Sequence, residues 1–588
     1  MSEQDIESRI TGKMGKKLQP FPKKRLVYDM VYEFMTDESD DRLIIMKGIR
    51  KVGKTVILEQ FAESTDNALY LDASKQEDIE LIEEYTSVIK NLIEDGIIKY
   101  LIIDEAGYID SLGRIKELYE SCYLNFAKCI ITASANMYLW KVRDFVYSER
   151  CIMVTIPDFI FAEKLYFDGY IDRDVMYKSI DELWNLMGAT TKEQRRQVNK
   201  LFIDYSIYGS DIARFESIVH GEDEYIERMI YNRLGNGNEL VTNKLFGFIG
   251  SERRGTNEDI DNYYVEKYTN KILRSILYIA YKCADKVQRN SLTYVNYATE
   301  RHGLKEGVLK VADKEVRERI DNFIIKRIEE STTAASDEDI FWVVNILLKS
   351  SMAYIEYDSR AGLDDAEQRV EFAINQIRGL EYKSQTGVGA EAFFKDWNVC
   401  IMDTAIYGII LRDVMSEMGL NGEADRVFGG TIKGRIVEVA IKSQMCRFMN
   451  IPSIAKKSEV PGFVKNINKK TDGEVDSVVK LQNGDVLGCE VTIRNKGDSE
   501  VHLGKGDEFT IRMATDDAVW SDNENVRHMP FGFAAVILGL IGYRDNLEKI
   551  RKNKVVYKGT TQVKAWNDAR MTHEIEEGSQ GNEKDRRL

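Results

Sequence analysis

The chain is predicted to be an α/β multidomain protein with a doubly wound parallel sheet near its N-terminus. Three observations predict it. Short aliphatic runs alternate with helical stretches between Leu26 and Phe167. From 168 to 420 the strand-like runs thin out and apolar residues fall at helical spacing. Past 421 a helical stretch gives way to runs rich in β-branched residues. With 588 residues, and about 100–200 residues per domain, several domains are expected.

The first aliphatic runs are Leu43–Met46, Ala68–Leu71, Tyr100–Ile103, Cys129–Thr132 and Ile152–Val154. Helical patterns separate them, as in Val56–Glu63 and Ile79–Glu94. Continuous apolar strands alternating with helices are buried on both faces, which is the arrangement of a parallel sheet. Ile272–Lys286 and Val316–Glu330 carry helical periodicity, and Ser331–Asp337 reads as a linker or an N-cap cluster. Gly434–Met449 reads as a helix. Val475–Leu481 and Val486–Ile493 read as strands joined at Asn483-Gly484, a dipeptide suited to a tight hairpin. Residues 572–588 are polar and of mixed charge, the composition of a disordered tail.

Hydrophobic residues make up 43% and charged residues 30%. That composition excludes a disordered, collagen-like or disulfide-framed protein. The net charge of −15 repels a phosphate backbone overall, so nucleic acid would need a local basic patch. Two segments offer one. Lys13, Lys16, Lys17, Lys23, Lys24 and Arg25 occur without an intervening acid. They fit a solvated leader first, and a phosphate- or partner-touching arm as the alternative. Lys456, Lys457, Lys465, Lys469 and Lys470 fit a backbone-tracking cluster and equally a solvated mobile loop. The seven cysteines are scattered without a CxxC pair, as expected of core thiols in a reducing compartment. The N-terminus has no signal pattern. The longest apolar run, Phe531–Tyr543, is shorter than the ~20 residues of a spanning helix. A cytoplasmic protein with no membrane contact is expected.

Gly48-Ile49-Arg50-Lys51-Val52-Gly53-Lys54-Thr55 matches GxxxxGK[ST]. It follows an apolar strand and precedes a helical pattern starting at Val56, the context the motif needs. Glycines let backbone N–H groups turn toward phosphate oxygens, and the helix adds its N-terminal dipole. Lys54 is positioned to reach β- and γ-phosphates, and the Thr55 hydroxyl to ligate Mg²⁺. Asp104 and Glu105 end the run Tyr100–Ile103. Asp104 is the second candidate for Mg²⁺, and Glu105 the candidate for orienting attacking water. After Cys129–Thr132, Ser134 or Asn136 is a candidate γ-phosphate sensor with Thr132 behind it; a helix N-cap is the competing role. Arg143 and Arg150 are candidates for an arginine finger, in cis or in trans.

These residues carry a family resemblance. KGIRKVGKT, ALYLD, YLIIDEAGYID, IITASAN and SERCIMVTIPDFIFAEKL, in that order, resemble the archaeal-type branch of the prokaryotic AAA+ ATPases, near the signal-transduction ATPases with numerous domains. Ala133 departs from the family's glycine, and Glu149-Arg150 stands where GR is usual. The resemblance covers about the first 165 residues. It implies an ATP- and Mg²⁺-dependent P-loop ATPase that forms oligomers or engages a protein partner. It further implies a helical or winged-helix middle and a C-terminal domain similar to restriction nucleases. The resulting scheme is a basic leader at 1–25, the ATPase domain at 26–167 and a helical lid or insertion at 168–335. A helical or winged-helix linker at 336–420, the nuclease-like domain at 421–560 and a polar tail at 561–588 complete it.

In such nucleases a helix acid, a strand acid and an ExK pair hold metal and activate water. Glu438, Asp476 and Glu490 match the acids, while Thr492 occupies the lysine position. Threonine supplies no positive charge to a transition-state phosphate. Lys442, one helical turn after Glu438, is a geometrically possible replacement. Lys496 stands about 20 Å from Glu490 along an extended strand, which is too far. The first expectation is therefore a nucleotide switch coupled to a nuclease-like domain, inactive or weakly active, with a role in defence by analogy. An active ATP-dependent nuclease and a nucleotide-holding scaffold are the alternatives.

Overall fold

A computed structural model describes residues 2–14, 21–37, 42–48, 52–133, 139, 142, 145–146, 150–208, 353–359, 397–402, 404, 431–449, 453–454, 462–466, 477–480, 486–492, 509–514, 521–523 and 526–554. The first unit is a six-stranded sheet in the order β2-β3-β4-β1-β5-β8. Its strands are β1 (Leu43–Lys47), β2 (Ala68–Asp72), β3 (Tyr100–Asp104), β4 (Lys128–Thr132), β5 (Cys151–Thr155) and β8 (Ser453–Ile454). The first five are parallel. The sixth pairs antiparallel to β5, through Ile152 with Ile454 and Met153 with Ser453. β1, β4 and β5 are buried along their whole length, which is why they read as unbroken aliphatic runs.

Helices α3 (Lys54–Glu63), α4 (Gln76–Glu84), α5 (Thr86–Glu94) and α6 (Leu112–Leu124) connect these strands. The helical pattern Ile79–Glu94 is two helices rather than one. Tyr85, with φ −116° and ψ 28°, leaves the helical region and separates α4 from α5.

The leader folds. α1 (Glu3–Thr11) is capped by Ser2, whose hydroxyl accepts the Asp5 N–H while the Asp5 carboxylate accepts the Ser2 N–H. Ile6 and Ile10 are buried in one apolar cluster with Leu81, Ile89 and Ile103. Of the cations that follow, Lys13, Lys23 and Arg25 find partners within the fold. Lys13 pairs with Asp78 at 2.6 Å and Glu77 at 3.2 Å. Lys23 donates to the Tyr166 and Phe167 carbonyls, and Arg25 is buried. Lys16 and Lys17 lie outside the described residues.

Beyond β5, α7 (Phe161–Phe167) and a 3₁₀ turn at Arg173–Tyr177 lead to α8 (Ile180–Gly188) and α9 (Lys192–Tyr208). Two distant helices, α10 (Thr431–Met449) and α11 (Phe531–Lys554), pack against each other and against α7 and α9. Phe531–Tyr543, the long apolar run, is the buried first half of α11. Among the described residues no helix is long and apolar enough to cross a membrane.

The second sheet has eight strands, ordered β13-β14-β12-β11-β10-β9-β6-β7. They are β6 (Ala353–Ser359), β7 (Trp397–Ile401), β9 (Gly462–Asn466), β10 (Ser477–Lys480), β11 (Val486–Thr492), β12 (Phe509–Ala514), β13 (Ser521–Asn523) and β14 (Val526–Pro530). β6 and β7 come from the stretch expected to be helical or winged-helix. They pair antiparallel, and β6 joins β9 in parallel. Alternation at Tyr354-Ile355-Glu356-Tyr357 suits a strand. β10 and β11 form the expected hairpin, with Lys480 opposite Val486. The connecting residues 481–485, Asn483-Gly484 among them, lie outside the described residues. The segments Ile272–Lys286, Val316–Glu330, Ser331–Asp337 and 572–588 lie outside the described residues.

Candidate nucleotide site

The site stands at the carboxyl ends of β1, β3 and β4, where strand order reverses around β1; open α/β sheets bind ligands at such a point. β1 runs into Gly48, and α3 begins at Lys54. Ile49, Arg50 and Lys51 lie outside the described residues; Val52, Gly53, Lys54, Thr55 and Val56 lie within them. A Cβ on Gly48 would stand 2.6 Å from the Ile156 carbonyl oxygen. Gly53 has φ +91° and caps α3 without a side chain. The N–H groups of the first helical turn therefore have no side-chain cap at Gly53, as an anion cradle requires. Lys54 is buried and folds its ammonium onto the Gly48 carbonyl at 2.9 Å.

Asp104 is 1% exposed. Its Oδ1 accepts the Glu105 N–H at 2.9 Å and its Oδ2 the Tyr70 hydroxyl at 2.9 Å. Burial raises the Asp104 carboxyl, opposed by hydrogen bonds from Thr55 and Tyr70. Thr55 and Asp104 are thus joined before any metal arrives, and both offer hard oxygen donors of the kind Mg²⁺ selects. Burial and the Asp104 charge raise the Glu59 carboxyl on α3. Burial and Asp104 likewise push the Tyr70 phenol well above its ordinary value. A site holding this much negative charge in low dielectric is suited to a cation. Glu105 follows with φ 51°, a left-handed backbone that turns the chain sharply at the strand end.

Thr132 ends β4 beside Met46 of β1; it is fully buried, and its hydroxyl has no hydrogen-bond partner. Ser134, Asn136 and Arg143 lie outside the described residues. Arg150 is not brought to the phosphate loop. It precedes Cys151, whose partner is Leu43 at the opposite end of β1. Five strand residues place it about 17 Å from that loop. Its guanidinium lies over the Tyr123 ring at 4.8 Å. A cis arginine finger from Arg150 is therefore corrected by the parallel register, leaving only the trans role.

Sequence reasoning missed Arg25 and Glu163. Arg25 Nη1 donates to the carbonyl of Val52, inside the loop, at 2.7 Å and to that of Pro157 at 2.8 Å. Its Nε and Nη2 donate to the two oxygens of Glu163 at 3.2 and 2.8 Å. Glu163 is fully buried and also accepts the Leu26 N–H. Arg25 sits in a basic run and Glu163 in a helix 138 positions away. No local pattern signals their pairing.

Of the C-terminal candidates, Glu438 and Lys442 lie on α10, Glu490 and Thr492 on β11. Asp476, Lys496 and Lys456, Lys457, Lys469 and Lys470 lie outside the described residues. Lys442 is buried. Among the described residues no three His, Cys, Asp or Glu side chains gather as a metal site.

Residues 40–165 match the family model described as "AAA domain". No curated protein matches the sequence. Among solved structures, the chain is similar to a Signal Transduction ATPase with Numerous Domains (STAND) protein with a tetratricopeptide repeat sensor from Pyrococcus horikoshii. That match has 11% identity over 73% of this chain and 81% of the other, with a TM-score of 0.18. A superposition at that score carries no argument, so the statement rests on the domain match and the strand–loop–helix geometry. Residues 40–165 form an AAA-type P-loop ATPase domain.

Proposed function

We propose that the chain is an ATP-binding and ATP-hydrolysing switch of the AAA+ class. Its nucleotide state governs a nuclease-like C-terminal domain that binds nucleic acid or a protein partner, in the setting of defence. The observation that carries the reading is that Gly48, Gly53 and Lys54 stand with buried Asp104 at the carboxyl ends of β1 and β3, the two parallel strands that flank β4. Lys54, released from the Gly48 carbonyl, and the N–H groups of the first turn of α3 hold phosphate oxygens. Thr55 and Asp104 hold Mg²⁺. Glu105 orients the attacking water, and Ser134 or Asn136 senses the γ-phosphate. Bound ATP supplies the phosphoryl group, and Mg²⁺ neutralises its charge. A neighbouring copy in an oligomer supplies an arginine such as Arg150.

The test is phosphate release. Lys54→Ala should abolish it together with binding, whereas Glu105→Gln should abolish it and leave binding. Release unaffected by both changes sinks the reading.

A second reading, a metal-requiring nuclease using Glu438, Asp476 and Glu490 with Lys442, has one supporting observation. Ser477, which follows Asp476 in the sequence, pairs with Cys489, which precedes Glu490. Mn²⁺-dependent nicking that disappears in Asp476→Ala would establish it. Intact substrate in wild-type and variant reactions would dismiss it.

A further inference from the structure

Arg25 joins the phosphate loop to the segment that follows β5 and leads into α7. Its four hydrogen bonds go to Val52, Pro157 and both oxygens of Glu163. Its guanidinium also stacks on Phe159, 4.1 Å from the ring centre. Both charges are at most 5% exposed, so neither can move away without leaving the other buried and unpaired. Glu163 lies on α7, and the start of that helix is also held by α10. The Phe161 N–H donates to Gln444 Oε1 at 2.7 Å. Gln444 Nε2 donates to the Tyr205 hydroxyl at 3.2 Å, and that hydroxyl donates to the Phe159 carbonyl at 2.7 Å. Arg447 donates to the same carbonyl at 3.0 Å. The five residues Phe159–Glu163 are therefore held both by Arg25 and by α10, with Tyr205 of α9 between Gln444 and the Phe159 carbonyl.

We propose that Arg25 is a positioning residue for the phosphate loop, and that through Glu163 it couples loop posture to the seating of the α10–α11 pair. The coupling rests on the nucleotide reading above. Only one short segment separates the loop clamp from α10, and it is held at both ends by buried or half-buried hydrogen bonds. A shift of the Val52 carbonyl on filling the loop changes the Arg25 geometry and hence the footing of α7. Linkage makes the effect reciprocal: loosening α10 weakens nucleotide binding at a site it does not touch. Lysine cannot replace Arg25, because one ammonium cannot reproduce a planar fork aimed at two carbonyls and a carboxylate.

The experiment pairs equilibrium binding of a fluorescent ATP analogue with hydrogen exchange of α10 and α11 in the nucleotide-free full chain. It uses wild type, Arg25→Lys, Gln444→Ala, the volume-conserving Gln444→Met and the double variant Arg25→Lys/Gln444→Met. Circular dichroism confirms folding. The expected result is at least a five-fold loss of affinity in each single variant, the lower end of usual coupling. The double variant should lose less than the product of the two. Arg25→Lys should also speed exchange in α10 without nucleotide. Affinities within two-fold of wild type in the Gln444 variants, or losses that simply multiply, overturn the coupling. If wild type binds no nucleotide, the functional reading fails, and the exchange arm still decides. Unchanged α10 protection in Arg25→Lys then overturns the link as well.

Discussion

The Tyr70 hydroxyl donates to Asp104 Oδ2 at 2.9 Å, tying the middle of β2 to the end of β3. The bond sits on the carboxylate proposed for Mg²⁺, and it opposes the burial that raises that carboxyl. Tyr70→Phe removes it and leaves Asp104 raised further. The Mg²⁺ concentration needed for half-maximal nucleotide binding should therefore increase, with the fold intact by circular dichroism. An unchanged Mg²⁺ requirement would show that the bond is incidental.

The same raised carboxyl makes stability depend on pH. Folded Asp104 keeps its proton to higher pH than the unfolded chain does, so the native state binds more protons across that interval. Stability of the nucleotide-free protein then falls as pH rises from the ordinary carboxylate value through the raised one. Glu59 adds to the effect in the same direction. Asp104→Asn removes the Asp104 part. Its melting temperature should exceed that of wild type at about pH 7.5, and the gap should close toward about pH 4. A gap that stays constant across the range would refute the assignment.

Gly48 lies where β1 leaves the sheet, and the Ile156 N–H donates to the Lys47 carbonyl at 2.7 Å just before it. A methyl there would meet the Ile156 carbonyl at 2.6 Å, and neither backbone can yield cheaply. Gly48→Ala should lower stability by about 1–3 kcal/mol in denaturant melts and weaken nucleotide binding. Stability equal to wild type would mean that the loop leaves the strand differently.

Asn546 on α11 is fully buried, and among the described residues neither amide atom has a hydrogen-bond partner. Burying an unsatisfied amide costs about 1–3 kcal/mol. Asn546→Leu, close in volume, should raise stability by a similar amount in the same melts. A loss of stability would reveal a partner for the amide.

What the sequence disclosed follows from the range of the interactions. The phosphate loop was legible because strand, glycines, Lys54 and helix are contiguous. Asp104 was legible because it closes an aliphatic run. Buried parallel strands announce themselves by composition alone. The break at Tyr85 was hidden because apolar spacing continues across it into α5. The leader looked like a solvated basic arm because the carboxylate partners of Lys13 and Arg25 lie more than sixty residues away. β6 and β7 were hidden for a similar reason: short strands separated by a long insertion pair only within the completed sheet.

The most direct measurement is a calorimetric titration of ATP with Mg²⁺ into the full chain, with Lys54→Ala alongside. The account predicts saturable heat with one site per chain for wild type, and none for the variant. Absence of heat in wild type, or equal affinity in the variant, would contradict it.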